Sequence, residues 1–277
     1  MDGADALPGA EPFFLPSPRG PLFALYHAAS GAPCEALLYV HPFGEEMNKS
    51  RRMAALGARR LAASGIAVLQ LDLHGCGDSA GEFADARWEG WLDDIATGCA
   101  WLRERTGVAP GLWGLRLGAL LALAAARRGA HPVPRLLLWQ PVVSGSAYLT
   151  QFLRLRSAGD MLRGDRAQGA QALRASLLGG APLEIGGYTL APELAAAIDA
   201  ADASTMAPKV SVDWFDIDPP GRTPAPARER VTALWRAGGA RAVLHAVEGP
   251  AFWASQEIAE CPALLDATAS VLETAHV

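Results

Sequence analysis

An arginine stands between two glycines in Gly114-Leu115-Arg116-Leu117-Gly118, where a short apolar run passes into a helical pattern. Glycines at that spacing permit a tight strand-to-helix turn at positions where no side chain fits. Such a turn sets Arg116 and the Leu117 amide at a helix N-terminus, where orphan N–H groups and the helix dipole already favour anions. A guanidinium adds a planar fork of donors, so the chemistry on offer is capture of a carboxylate or phosphate. Nucleophilic attack is not on offer, because a guanidinium keeps its proton throughout the physiological range. The competing expectation is an internal ion pair between Arg116 and Glu45, Glu46, Asp216 or Glu248 that plugs a dead pocket. A buried pair of that kind need not add stability, although breaking it is costly.

Other residues could contribute to the same chemistry. His41-Pro42-Phe43-Gly44-Glu45 carries a histidine and a carboxylate which, with Arg116, could act on a water. The plainer expectation for His41 is a bond to the backbone. Cys76 sits between glycines after an apolar run, as a nucleophile or as part of a turn with Asp72 and Ser79. Lys49, Arg51 and Arg52 stand at the start of a helix, either as a solvated face or as phosphate contacts. Phe252 and Trp253 read as core or as a stacking wall near a pocket mouth. The four cysteines have no metal-type spacing and read as reduced thiols, so neither a metal nor a cofactor is expected.

The elements that must position these residues follow from periodicity. Strands are expected at 13–15, 22–27, 36–40, 66–73, 111–114, 136–140, 210–217 and 240–247. Helices are expected at 53–63, 88–105, 117–128, 227–237 and 262–274. Alternation of apolar strands with helices is the mark of a mostly parallel sheet covered on both faces. The rhythm breaks over residues 144–203, which read as a mainly helical cap over the carboxyl end of the sheet, where ligands bind in open α/β sheets. Residues 152–163 alternate leucine and arginine as a lid helix, and the Pro-rich stretch 218–226 reads as a loop. The 277 residues are 51% hydrophobic, enough for one large core. The expectation is a single domain over 1–277, with a core of about 13–143 and 204–277. The net charge of −5 comes with 24 scattered basic residues, which argues against a nucleic-acid partner. Residues 1–12 lack the basic and apolar runs of a secretion signal, and no apolar stretch reaches the length of a membrane span, so a cytoplasmic protein is expected.

Three segments resemble the α/β-hydrolase superfamily. Residues 38–44 are similar to the strand and loop that supply one oxyanion-hole amide. Asp72-Leu73-His74-Gly75-Cys76-Gly77-Asp78-Ser79 matches the Asp-x-x-Gly-x-Gly-x-Ser turn, and Gly114 to Gly118 sits where Gly-x-Ser-x-Gly belongs. Arg116 thus occupies the nucleophile position. The resemblance implies a histidine base in the loop after the last strand, but that loop reads Val247-Glu248-Gly249-Pro250-Ala251-Phe252-Trp253. His245 precedes it within the strand and His276 lies in the tail. The acid slot holds Asp216 and Asp218. No catalytic residue is therefore assigned, and the expected ligand contacts are His41, Phe43, Gly44, Glu45, Arg116, Leu117 and Trp253.

The longer strings narrow the likeness. Residues 41–52, Trp113-Gly114-Leu115-Arg116-Leu117-Gly118-Ala119, Leu138-Trp139-Gln140-Pro141-Val142-Val143-Ser144-Gly145 and Phe252-Trp253-Ala254-Ser255-Gln256-Glu257-Ile258 resemble the exosortase A system-associated hydrolase 2 family. This implies a cytoplasmic member of a bacterial system for exopolysaccharide export and PEP-CTERM protein sorting. Three functions follow as expectations. The first is an accessory protein that binds a small anionic or glycan-linked ligand without the serine triad. The second is a hydrolase using His41, Glu45 and Arg116. The third is a scaffold for exopolysaccharide or sorting machinery, with membrane-surface contact the minority expectation for the lid helix.

Overall fold

The computed structural model describes residues 9–163, 168–219, 221 and 226–274. The chain opens with β1 (Glu11–Leu15) and β2 (Leu22–His27), then β3 (Glu35–Val40), α1 (Glu45–Ala63) and β4 (Ile66–Leu71). It continues through α2 (Trp88–Thr106), β5 (Gly111–Leu115), α3 (Leu117–Arg128) and β6 (Arg135–Trp139). An excursion follows, made of α4 (Gly145–Arg163), α5 (Ala170–Leu178), β7 (Leu183–Ile185), β8 (Tyr188–Leu190) and α6 (Pro192–Ala200). The alternation then resumes with β9 (Ser211–Asp218), α7 (Pro226–Ala237), β10 (Ala242–Glu248) and α8 (Pro262–Thr274).

Eight strands form one sheet in the order β1-β2-β4-β3-β5-β6-β9-β10. β1 and β2 pair antiparallel, β2 is antiparallel to β4, and every pairing from β4 to β10 is parallel. The central strands β3 and β5 are buried at every position because helices cover both faces. On one face Leu38 and Val40 pack with α2 and α3 residues such as Ile95 and Leu120. On the other, Tyr39 and Trp113 pack with α1 and α8 residues such as Met53, Leu61 and Leu264. This is the mostly parallel, two-face-covered sheet that the sequence pattern implies. Among the described residues, no helix is long and apolar enough to cross a membrane.

Three expectations change. The helix expected at 53–63 starts at Glu45. Its first two turns are mostly polar and weaken the apolar period, yet Met47 and Ser50 are buried there, and tertiary packing extends the helix. The strand expected at 66–73 ends at Leu71, because the Asp72 carboxylate takes the Asp78 amide (3.1 Å) and the Arg51 guanidinium (2.8 Å) and closes a turn. The span 144–203 is mainly helical, as α4, α5 and α6, but it also carries a hairpin of β7 and β8. Gly186-Gly187 at its tip, with φ of 57° and 87°, is a two-residue hairpin signal that a purely helical period hides. Most of the Pro-rich loop, together with residues 1–8 and His276, lies outside the described residues.

Candidate functional site

The turn between β5 and α3 is built by close backbone approach. A Cβ on Gly114 would lie 2.4 Å from the Ala119 Cα, and one on Gly118 would lie 2.2 Å from the Val40 carbonyl oxygen. Both positions therefore exclude a side chain. Arg116 itself sits at φ 56° and ψ −119°, a region that non-glycine residues rarely occupy. Its amide donates to the Trp139 carbonyl (3.0 Å) and its carbonyl accepts from Val142 (3.2 Å), which ties the turn to β6 and the chain after it.

From this turn the Arg116 side chain enters a cavity of about 330 Å³. Its Nε and Nη2 donate to Glu46 Oε1 at 3.3 and 3.2 Å, and Tyr148 donates its hydroxyl to Glu46 Oε2 at 3.1 Å. Nη1 makes no hydrogen bond among the described residues. The guanidinium lies 5.3 Å from the Trp253 ring centre and 5.7 Å from that of Tyr148, within cation–π reach of both. Burial pushes the Glu46 carboxyl above its ordinary value, and Arg116 and Tyr148 offset only part of that. The side chains of Arg116 and Glu46 remain 16% and 20% exposed, so the pair faces an open space and is not sealed. Phe43, Phe152 and Leu155 complete the apolar walls, and Glu45 and Lys49 stand at the same cavity.

The structure brings Phe43, Glu45, Arg116 and Trp253 of the sequence-derived set to this one cavity. Leu117 begins α3 directly behind Arg116, and Gly44, at φ 54°, turns the chain into α1 with Phe152 and Tyr188 rings 3.8 and 3.9 Å from where its Cβ would stand. His41 is not at this cavity. Its Nε2 accepts from the Leu73 amide (3.1 Å), so its Nδ1 carries the proton and donates to the Pro42 carbonyl (2.7 Å). Burial holds the imidazole below its ordinary pKa, and both nitrogens are committed to the backbone. His41 lines a separate space of about 170 Å³ with Tyr39, Arg51 and Asp72.

Arg116 takes Glu46 as its partner, and not Glu45, Asp216 or Glu248. Asp216 and Asp218 are instead bound by Arg228 of α7, the second at 2.5 Å. Cys76 is buried and its thiol is pushed far up, which withholds the thiolate. Ser79 accepts from the Phe23 amide (2.8 Å) and donates to the Asp72 carbonyl, as a turn residue does. Arg51 pairs with Asp72 and Arg52 with Glu260, so of the three basic residues only Lys49 reaches the cavity. Phe252 packs on Trp139 and Trp253 within the core. His245 meets Asp213 at 3.0 Å within the sheet. Sequence reasoning missed Tyr148 as a site residue. It comes from the first turn of α4 and belongs to no motif, and only its place just after β6 could have pointed to it.

A family model described as serine aminopeptidase, S33 matches residues 31–177. No curated protein matches the chain. Among solved structures, the chain is similar to Est1E from Butyrivibrio proteoclasticus with ferulic acid bound. The TM-score is 0.71 at 15% identity, covering 95% of this chain and 98% of that one. It is also similar to the α/β hydrolase GrgF from Penicillium sp. sh18, with a TM-score of 0.64 at 15% identity and coverage of 96% and 98%. The thioesterase domain from the curacin biosynthetic pathway follows, with a TM-score of 0.58 at 14% identity and coverage of 96% and 99%. At these identities the likeness establishes the fold.

Proposed function

This chain belongs to the serine aminopeptidase S33 family, and from that membership we propose that it binds an anionic small molecule at Arg116 in place of triad chemistry. The carrying observation is the partly open Arg116–Glu46 pair: one edge of the guanidinium is held by Glu46, while Nη1 is unbonded among the described residues. Attack on an ester needs a hydroxyl or thiol at the turn and a base to activate it. The turn carries Arg116 and the loop after β10 carries Phe252, which is buried in the core. Rings of Phe43, Tyr148, Phe152 and Trp253 line the cavity that the guanidinium enters, so the preferred ligand is a carboxylate with a flat or acyl body. Ferulic acid, a carboxylic acid with an aromatic ring, is bound to Est1E, a protein of the same fold.

The resemblance of this chain's longer strings to the exosortase A system-associated hydrolase 2 family supports a cytoplasmic role beside exopolysaccharide export and PEP-CTERM sorting. A second reading keeps catalysis through a non-standard constellation. Its carboxylate is Glu46, in contact with Arg116 and Tyr148, in place of His41 and Glu45.

The test is calorimetric binding of 4-methoxybenzoate to wild type, Arg116→Lys and Arg116→Met. A charge-assisted bond contributes about 1.5–3 kcal/mol, so affinity should fall about 10- to 100-fold from arginine to methionine. Lysine should lie between, since it keeps the charge and loses the planar fork. Equal affinity in all three proteins would remove Arg116 as the receptor.

A further inference from the structure

The Arg116 cavity has a neighbour of about 320 Å³, and Glu45, Phe152 and Leu155 line both. Phe152 and Leu155 lie three residues apart on α4, which puts them on one face of that helix as a common rim. Leu155 is 63% exposed, a large apolar side chain left uncovered where the two spaces meet.

The linings differ in chemistry. The first cavity sets aromatic rings around the Arg116–Glu46 pair, with Glu45 and Lys49 also at its wall. The second is walled by the β7–β8 hairpin, where Gly186 and Gly187 present bare backbone with nothing within 4 Å of an added Cβ. Donors and acceptors both stand beside that turn. Arg156 Nη1 donates to the Glu184 carbonyl (2.7 Å), and the Tyr188 hydroxyl donates to Glu45 (3.1 Å) and accepts from Asn48 (3.1 Å). Glu184 lines the same space and is exposed. A wall that both gives and takes hydrogen bonds suits hydroxyl groups, each of which does both.

We propose that the ligand is bipartite: an aryl carboxylate head at Arg116, joined to a polyhydroxylated, sugar-like group that lies against the hairpin. The proposal rests on the anion-binding reading of Arg116. The ligand crosses the rim formed by Phe152 and Leu155 and covers the exposed leucine. Glu184 and the two-glycine turn then select the hydroxylated end, while Arg116 fixes the charged one.

Two matched probes test it by calorimetry: 4-methoxybenzoate, which has the head alone, and 4-carboxyphenyl β-D-glucopyranoside, which has head and sugar. Wild type should bind the glucoside about 10-fold tighter than the benzoate. Glu184→Ala should cut that ratio to below about threefold, and Arg116→Met should weaken both probes about 10-fold or more. Equal affinity of wild type for both probes, with both still lost in Arg116→Met, overturns the bipartite ligand and leaves the anion site standing. Failure of wild type to bind either probe, or binding that Arg116→Met does not change, overturns the anion site and the bipartite ligand with it.

Discussion

At φ 56° and ψ −119° Arg116 holds a backbone geometry that costs a non-glycine residue on the order of 1–3 kcal/mol, and such strain gathers at functional sites. The geometry belongs to the turn, not to the side chain, so exchanging the side chain should leave the turn in place. Arg116→Ser would restore a hydroxyl but no base, because His41 is committed on both nitrogens and Phe252 fills the loop after β10. We expect no fluorophosphonate labelling of the wild type, and p-nitrophenyl ester hydrolysis by Arg116→Ser within about tenfold of background. A gain of several orders of magnitude would mean that a base stands in the site after all.

Glu46 makes the site sensitive to pH. Its raised pKa means that the folded protein holds the proton more tightly than the unfolded chain does. The stability this contributes is present at low pH and is lost as pH rises from the ordinary glutamate value of 4.5 through the raised one. Protonation also removes the negative partner from Arg116. Affinity for an anion that stays ionised, such as 4-methoxybenzenesulfonate, should therefore rise several-fold as pH falls from about 8 to about 4.5. Glu46→Gln should bind it with a flat profile over the same range. A wild-type profile as flat as that of the glutamine variant would detach Glu46 from the guanidinium. Arg116 and Trp253 were legible because sequence motifs mark the two turns that carry them. The choice of Glu46 over Glu45 was not, because it depends on where α1 begins, and a polar first turn gives no period to read.

The elements that carry these side chains are held by contacts that tolerate little change. Gly118 sits 2.2 Å, measured from its would-be Cβ, from the Val40 carbonyl and 2.4 Å from that of His41. Gly118→Ala must push α3 off β3, at a cost of about 1–3 kcal/mol. For a chain of this size that is a fall in Tm of roughly 2–4 °C per kcal/mol, read by calorimetry. An unchanged Tm would mean that the turn relaxes freely and is not what fixes Arg116. The strands and most helices were readable because apolar runs and Gly-x-x-x-Gly spacing are local signals. The β7–β8 hairpin was lost within a helical reading, since three-residue strands carry almost no period. Asp216 and Asp218 matched a sequence slot, but Arg228, further along the chain, claims both, and nothing local in the sequence announces that pairing.

Across the whole molecule, three distant segments meet at one pair of charges: Arg116 from the β5–α3 turn, Glu46 from α1, and Tyr148 from the excursion after β6. The excursion leaves and rejoins the core through a short two-stranded stem. Ala203 donates to the Val143 carbonyl (2.8 Å), Ser144 bridges Asp202 antiparallel, and Gly145 donates to the Ala201 carbonyl (2.8 Å). Ends held this close can be joined by a short turn with little loop-closure cost. Replacing residues 146–200 with a Gly-Ser turn should leave a chain that still unfolds cooperatively and keeps the circular-dichroism signal of the sheet. Its Tm should fall, because Phe43 loses the Tyr148 and Phe152 rings that pack on it edge-to-face. The same chain should lose affinity for 4-methoxybenzoate at least tenfold, as a carboxylate at Arg116 would then lie in water, where a charged bond contributes far less. A shortened chain that binds as well as the full one would show that the cavity owes nothing to the excursion. A shortened chain that cannot fold would make the excursion part of the core, and the sequence boundary near residue 144 would then mark a change of rhythm without a change of layer.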